Sequence, residues 1–208
     1  MLQFVLESAK EFIVDETELE RRAKINVDMC GGIQPMHRIF YSHSIHYSAE
    51  RSLSAFSEYE SLIQKDNPEA LRLISAVQEA IGHAAALSRY FWPTSMGDKK
   101  KQSEQIEMRK KRGENLRSMF NITDDSPLHN RDLRNAWEHF DEKLDTYLIS
   151  NDSGIFFPDP IRGSHTLGDD PIGKIFKLID TETECLVLLG KKFFFAPIRE
   201  EVKRIIKN

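Results

Sequence analysis

Cysteine is scarce in this sequence. Cys30 and Cys185 are the two present, far apart and in no C-x-x-C pair. Neither a zinc ribbon nor a thioredoxin-like redox site is therefore supported. So few thiols suit a reducing compartment, and a cytoplasmic protein is expected. Long apolar runs are missing as well. No segment approaches the roughly 18 consecutive apolar residues of a membrane-spanning helix. The opening MLQFVLESAKEFIVDE carries Glu7 and Glu11 and has no basic start, so it does not read as a signal peptide. A basic excess is also lacking: the net charge is −4 and the pI is near 6.0. That weighs against a general nucleic-acid binder, though not against a local basic site. There is no internal repeat and no low-complexity tract. G-x-S-x-G, the phosphate-binding P-loop, G-x-G-x-x-G and H-E-x-x-H are all absent, so no cofactor or metal is expected.

What remains is an ordinary globular composition. The chain has 208 residues, 40% hydrophobic and 30% charged. That is enough for one domain with a real core, and a single domain over 1–208 is expected.

Helical periodicity dominates the first three quarters. Leu2, Val5, Leu6, Ala9, Phe12 and Ile13 follow helical spacing, although FVL and FIV also fit short strands. Gly31 and Gly32 mark a break. Pro35 opens a stretch to about residue 64 that reads as a helix. Asn67-Pro68 signals the next start, and that helix stops at Trp92-Pro93, because the residue before proline avoids the helical region. A polar loop with Lys99, Lys100 and Lys101 leads to a helix over 103–120. Asp124-Asp125-Ser126-Pro127 looks like a cap followed by proline, which predicts a further helix over 126–148. Residues 151–170 hold several Pro and Gly and read as a loop. Residues 174–180 and 184–189, separated by a short polar stretch, predict a β-hairpin. Residues 191–196 continue or add a strand, and Pro197 opens a short final helix. The expected fold class is mainly α: a helical bundle with a small β-hairpin near the C-terminus.

The helix over 126–148 carries the most specific pattern. At about 100° per residue, Leu133, Ala136, Trp137, Phe140, Leu144, Tyr147 and Leu148 form one core stripe. Arg131, Asn135, Glu138 and Glu142 lie opposite it, flanked by Arg134 and His139. Neither Arg134 nor His139 is then needed for packing. On spacing alone this face fits a solvated surface with i, i+4 pairs such as Arg134 with Glu138, each worth a few tenths of a kcal/mol.

Arg134-Asn135-Ala136-Trp137-Glu138-His139 resembles the motif of HEPN domains (higher eukaryotes and prokaryotes nucleotide-binding). That motif is an Arg, usually followed by a polar residue such as Asn, with a His after four to six intervening residues. It sits on a late helix of an all-helical bundle. The resemblance covers residues 35–150 as a helical core and leaves 151–208 as an addition. It implies metal-independent RNA cleavage in a cleft between two paired protomers. His139 would act as general base or acid, Arg134 would bind and stabilise the phosphate, and Asn135 would orient. Glu138 would hold Arg134, with Arg131 in support. Proteins resembling this family also include non-catalytic nucleotide or RNA binders, scaffolds and members of toxin–antitoxin pairs. Homodimerisation, RNA and a protein partner such as a cognate antitoxin are thus all expected classes of partner. A non-catalytic helical interaction protein using the same polar face is the alternative.

Other features read more simply. His37, His43 and His46 cluster with Tyr41 and Tyr47 but lack a third ligand at metal spacing. Tyr90, Phe91 and Trp92 read as core. Arg89 is expected to be a buried ion-pair partner, or a phosphate contact if its helix borders the cleft. The run Arg109-Lys110-Lys111-Arg112 is either a solvated helix face or a track for RNA phosphates through Arg109 and Arg112. Gly113 is unusual inside a helix and suggests a close helix crossing. His165, Asp169 and Asp170 form no recognisable pattern.

Overall fold

The computed structural model describes residues 14–94 and 97–207. The ambiguous opening segment, Leu2 to Ile13, lies outside the described residues. Seven helices follow: α1 (Glu16–Cys30), α2 (Arg38–Ile63), α3 (Ala70–Phe91), α4 (Ser103–Met119), α5 (Asp132–Glu138), α6 (Phe140–Ser150) and α7 (Ala196–Ile206). Six short strands lie between α6 and α7: β1 (Ile155–Phe157), β2 (Ile161–Arg162), β3 (Gly173–Ile175), β4 (Lys177–Asp180), β5 (Cys185–Leu188) and β6 (Lys191–Phe194). No helix among the described residues is long and apolar enough to cross a membrane.

Helix α1 has both terminal signals. The Asp15 carboxylate accepts from the Glu18 N–H at 2.9 Å, and Gly31 closes the helix at φ 58. Its Glu20 carboxylate accepts from the Glu104 and Gln105 N–H groups at 2.8 and 3.1 Å. One side chain thus caps the start of α4 and holds α1 along it. The stretch opened by Pro35 begins as a 3-10 turn before α2 takes over.

Helices α2 and α3 form the central pair. Ala76, Ala80 and Ala84 are buried on α3, and these small side chains let α2 come close. Ser52, fully buried on α2, donates to the Ala80 carbonyl at 2.9 Å. The core has two main lobes. One joins α2 and α3 to the sheet through Phe56, Tyr59, Ile179, Leu186 and Phe195. The other joins the opposite end of that pair to α4 and α7 through Phe91, Leu116, Phe120 and Val202.

The expected hairpin is present as β4 and β5, paired antiparallel from Lys177↔Leu188 to Asp180↔Cys185. Strand β6 extends it antiparallel, and β2 joins β4 in parallel. The sequence differs from this in two places. Residues 174–180 are two strands, divided at Phe176, because β3 pairs with β1 in a separate parallel ladder. Residues 151–170, expected as loop, hold β1, β2 and a 3-10 turn.

The helix expected over 126–148 is also corrected. Residues 126–130 form turns, and Asn130 Oδ1 accepts from the Asp132 N–H at 2.7 Å to start α5. The helix then breaks at His139, whose φ −117 and ψ 37 are not helical. Leu133 and Ala136 bury against the first lobe, while Tyr147 turns its ring edge-on to Phe176 at 5.9 Å. The expected core stripe holds fully for Leu133 and Ala136. Trp137, Phe140, Leu144 and Tyr147 are half-buried, and Leu148 is exposed.

Candidate functional site

The C-terminal end of α3 leaves backbone carbonyls without helical partners. Three arginines from elsewhere in the chain cover them. Arg112 Nη2 donates to the Arg89 carbonyl at 3.5 Å, and Arg117 Nη1 donates to that of Phe91 at 2.5 Å. Arg131 Nη2 donates to that of Trp92. Cations at a helix C-terminus also oppose its dipole favourably. The Arg112 guanidinium sits 5.5 Å from the Tyr41 ring centre, and that of Arg117 lies at the same distance from Trp92. Gly113 is what admits α4 so close. A Cβ there would stand 2.7 Å from the Phe91 carbonyl oxygen and 2.7 Å from Pro93 Cδ. The close crossing suggested by the sequence is thus present.

Arg89 and Arg134 are used differently, since neither guanidinium caps a carbonyl. Arg134 Nε and Nη2 reach Glu138 Oε2 at 2.9 and 2.8 Å, and Arg89 Nη2 reaches Glu138 Oε1 at 3.0 Å. Two guanidiniums from two helices therefore converge on one carboxylate. Arg134 is mostly buried, and its Nη1 has no hydrogen-bond partner. Its expected independence from packing is corrected accordingly, because it lines a narrow cleft between α3 and α5 with Ser88, Leu133 and Arg131. Burial lowers the Arg131 pKa, and repulsion from Arg134 and Arg89 lowers it further. Two guanidiniums thus meet at the Glu138 carboxylate, with a third, that of Arg131, near enough to feel both.

His139 stands outside that cluster. It occupies the break between α5 and α6, and its side chain is half exposed. Its nearest charged group is Glu142, with 3.7 Å between Nδ1 and Oε2. Among the described residues no hydrogen bond or ion pair joins it to Arg134. Asn135 is half-buried, and among the described residues no side-chain hydrogen bond joins it to Arg131. Those two residues are linked by the backbone bond of the helix start, 2.8 Å from the Asn135 N–H to the Arg131 carbonyl.

The basic run on α4 divides. Lys110 and Lys111 pair with Glu107 and Glu114 at 3.8 and 2.8 Å. Arg109 and Lys110 line a cleft of about 260 Å³ with Arg117, Glu114 and the Trp92 indole. Trp92 is itself stacked on His129, centroids 4.6 Å apart and planes 9° apart. A cationic and aromatic cleft thus adjoins the arginine-capped end of α3.

Of the early histidines, His37 and His43 are exposed and His46 is half-buried. His46 Nδ1 bonds the Ser42 carbonyl at 2.9 Å, and its ring meets Phe120 at 5.9 Å. Among the described residues, no group of three or more His, Cys, Asp or Glu side chains is placed to hold a metal ion.

A His–Asp pair in the sheet region is absent from the sequence expectations. Asp180 is buried, and its Oδ2 accepts from the His165 N–H at 2.9 Å and meets Nδ1 at 2.7 Å. Its Oδ1 accepts from the Glu182 and Thr183 N–H groups at 3.0 and 3.2 Å. Burial alone would raise this carboxyl. The hydrogen bonds from His165 and Thr183 outweigh burial and hold it well below the usual carboxylate range. The pair ties the hairpin turn to the 3-10 segment. Asp169, in contrast, pairs with Lys192 at the surface.

Compared with protein-family models, with curated proteins and with solved structures, the chain matches none.

Proposed function

We propose that this chain is a HEPN-like ribonuclease that acts as a homodimer, with Arg134 and His139 at its centre. The convergence of Arg89 and Arg134 on the Glu138 carboxylate carries this reading. Two guanidiniums aimed at one oxyanion position are a geometry suited to phosphate. In this proposal an RNA phosphate takes over part of that role, and charge building on its oxygens is stabilised there. His139 takes the proton from a 2′-hydroxyl, and that oxygen then attacks phosphorus. The bond to the 5′-oxygen breaks, and the leaving oxygen receives a proton from His139 of the second protomer. A 2′,3′-cyclic phosphate and a 5′-hydroxyl result. The cleft lined by Arg109, Lys110 and Arg117 supplies a track for the phosphates of the flanking strand.

An exposed apolar face supports the pairing. Ile39, Phe40, His43 and Tyr47 share one side of the first turns of α2, with Phe40 68% and Tyr47 63% exposed. Tyr41, beside them, holds Arg112, and Arg112 in turn contacts the Arg89 carbonyl. A second copy seated on this face would bring two arginine clusters toward one another.

The test is cleavage of single-stranded RNA in excess EDTA by wild type, His139→Ala and Arg134→Ala. Turnover by wild type, lost in His139→Ala at unchanged thermal stability, is the expected result. Equal turnover in that variant would sink the catalytic assignment. Two observations favour a non-catalytic reading: Glu138 neutralises part of the cluster, and among the described residues no hydrogen bond or ion pair joins His139 to Arg134. On that reading the same face binds RNA, a nucleotide or a protein partner such as an antitoxin. It predicts no turnover, with binding weakened by Arg134→Glu.

A further inference from the structure

A second cleft lies on the other side of α6. It has a volume of about 280 Å³ and runs between that helix and the turn joining β5 to β6. Its floor is apolar, built from Ala136, Leu188, Leu189 and the Tyr147 ring. Its rim carries two cations, Lys143 and Lys191, and no carboxylate. The acids of α6 nearest in sequence, Asp141, Glu142 and Asp145, are not among its lining residues. Neither lysine is ion-paired among the described residues. Two lysines thus line one cleft whose lining residues include no carboxylate.

The turn beneath the cleft breaks a local rule. Leu189 and Gly190 are the two central residues of a tight hairpin turn, at φ 49 and φ 76. Such a turn favours Asn or Gly at both positions, because a Cβ is strained at positive φ. A leucine in the first position is held there against that preference. Its N–H donates to the Phe176 carbonyl at 2.9 Å, and its side chain forms part of the cleft floor. Strained residues of this kind cluster where a surface is shaped for a ligand.

We propose that this cleft binds a small organic anion, an apolar body carrying one phosphate or carboxylate head. The body lies on Leu188, Leu189 and Tyr147, and the head sits between Lys143 and Lys191. The Thr146 and Ser150 hydroxyls and Asn151 Nδ2 already donate to backbone carbonyls on α6. The two hydroxyl oxygens and the Asn151 carboxamide oxygen keep lone pairs that accept from any donor on the ligand. Lys143 lies one turn beyond His139, to whose carbonyl its N–H donates at 3.1 Å, so the occupant sits beside the helix break. This site is independent of RNA cleavage and requires neither Arg134 nor a second protomer.

The test is a titration of the ¹⁵N-labelled full chain with phenyl phosphate, benzoate, inorganic phosphate and benzyl alcohol, followed by NMR. Saturable shifts are expected at Thr146, Tyr147, Leu189 and Gly190. At least one aryl anion should bind about tenfold more tightly than benzyl alcohol. The tighter of phenyl phosphate and benzoate identifies the head group. Lys143→Glu/Lys191→Glu should weaken that anion at least about tenfold while the remaining amide spectrum is retained. Leu189→Asn, which suits the turn, serves as a folded second variant and should weaken both aryl anions. Shifts confined to other surfaces, equal binding of benzyl alcohol, or unchanged affinity in the folded variants would overturn the proposal. Loss of RNA turnover in His139→Ala bears on none of these readouts.

Discussion

Gly113→Ala sets two effects of opposite sign against each other inside one helix. Ala is favoured over Gly in a helix interior by about 1 kcal/mol. The new methyl, however, would enter at 2.7 Å from the Phe91 carbonyl oxygen and 2.7 Å from Pro93 Cδ. Neither neighbour is the tip of a flexible side chain. One is backbone at the end of α3, and the other is a ring locked beside it. Overpacking of this kind costs about 1–3 kcal/mol. The Phe91 carbonyl is also the acceptor for Arg117, so moving it disturbs one of the three caps on α3. The crowding therefore wins, and a net loss of about 1–2 kcal/mol is expected. In a chain of this length that lowers Tm by roughly 2–8 °C. Urea unfolding analysed by linear extrapolation reads it directly, with an unchanged slope. A variant about 1 kcal/mol more stable than wild type would refute the close crossing, since propensity alone would then be acting.

Three further outcomes follow from local geometry. Asp180→Asn should destabilise the fold by about 2–3 kcal/mol near neutral pH, because hydrogen bonds to a charged acceptor are the stronger ones. The folded carboxyl lies below its ordinary value, so its contribution is complete above about pH 4 and falls as acid protonates it. The stability gap between wild type and Asp180→Asn, measured by urea melts, should hold from pH 7 to 5 and shrink below about pH 4. A gap independent of pH down to 2 would contradict the assigned shift. Leu189→Asn should raise stability by about 1 kcal/mol through relief of the left-handed strain, read as a higher urea midpoint. Asp15→Ala should cost about 1 kcal/mol by removing the α1 cap, seen as faster amide exchange in the first turn of α1 and a lower midpoint.

Local rules made much of this architecture legible. Trp92-Pro93 stops α3, Pro197 opens α7, and the polar stretch after residue 180 turns the β4–β5 hairpin. Helix α1 was equally readable from Asp15, Glu18 and Gly31 but lay between two more conspicuous segments. The break at His139 was not legible. An uninterrupted stripe runs through Leu133, Ala136, Phe140 and Tyr147, and only the competing pulls of α3 and Phe176 divide it. Phe176 likewise separates β3 from β4 because β1, some 20 residues earlier, claims the first half. Charge was hardest to place. Arg89, Arg112, Arg117 and Arg131 come from three separate segments, α3, α4 and the start of α5, and which of them caps a carbonyl depends on where α3 ends. His165 and Asp180, 15 residues apart, show the same limit.

Arg134, like Arg89, caps no carbonyl and converges with it on one anion position, and its role is open to direct measurement. His139→Ala and His139→Ala/Arg134→Ala, both kept from turning over RNA, can be titrated with labelled single-stranded RNA by fluorescence anisotropy at several salt concentrations. A phosphate contact at Arg134 predicts roughly tenfold weaker binding in the double variant. It also predicts a log–log salt slope shallower by about 0.7. Equal affinity and an equal slope would contradict it, leaving Arg134 as the ion-pair partner of Glu138 alone.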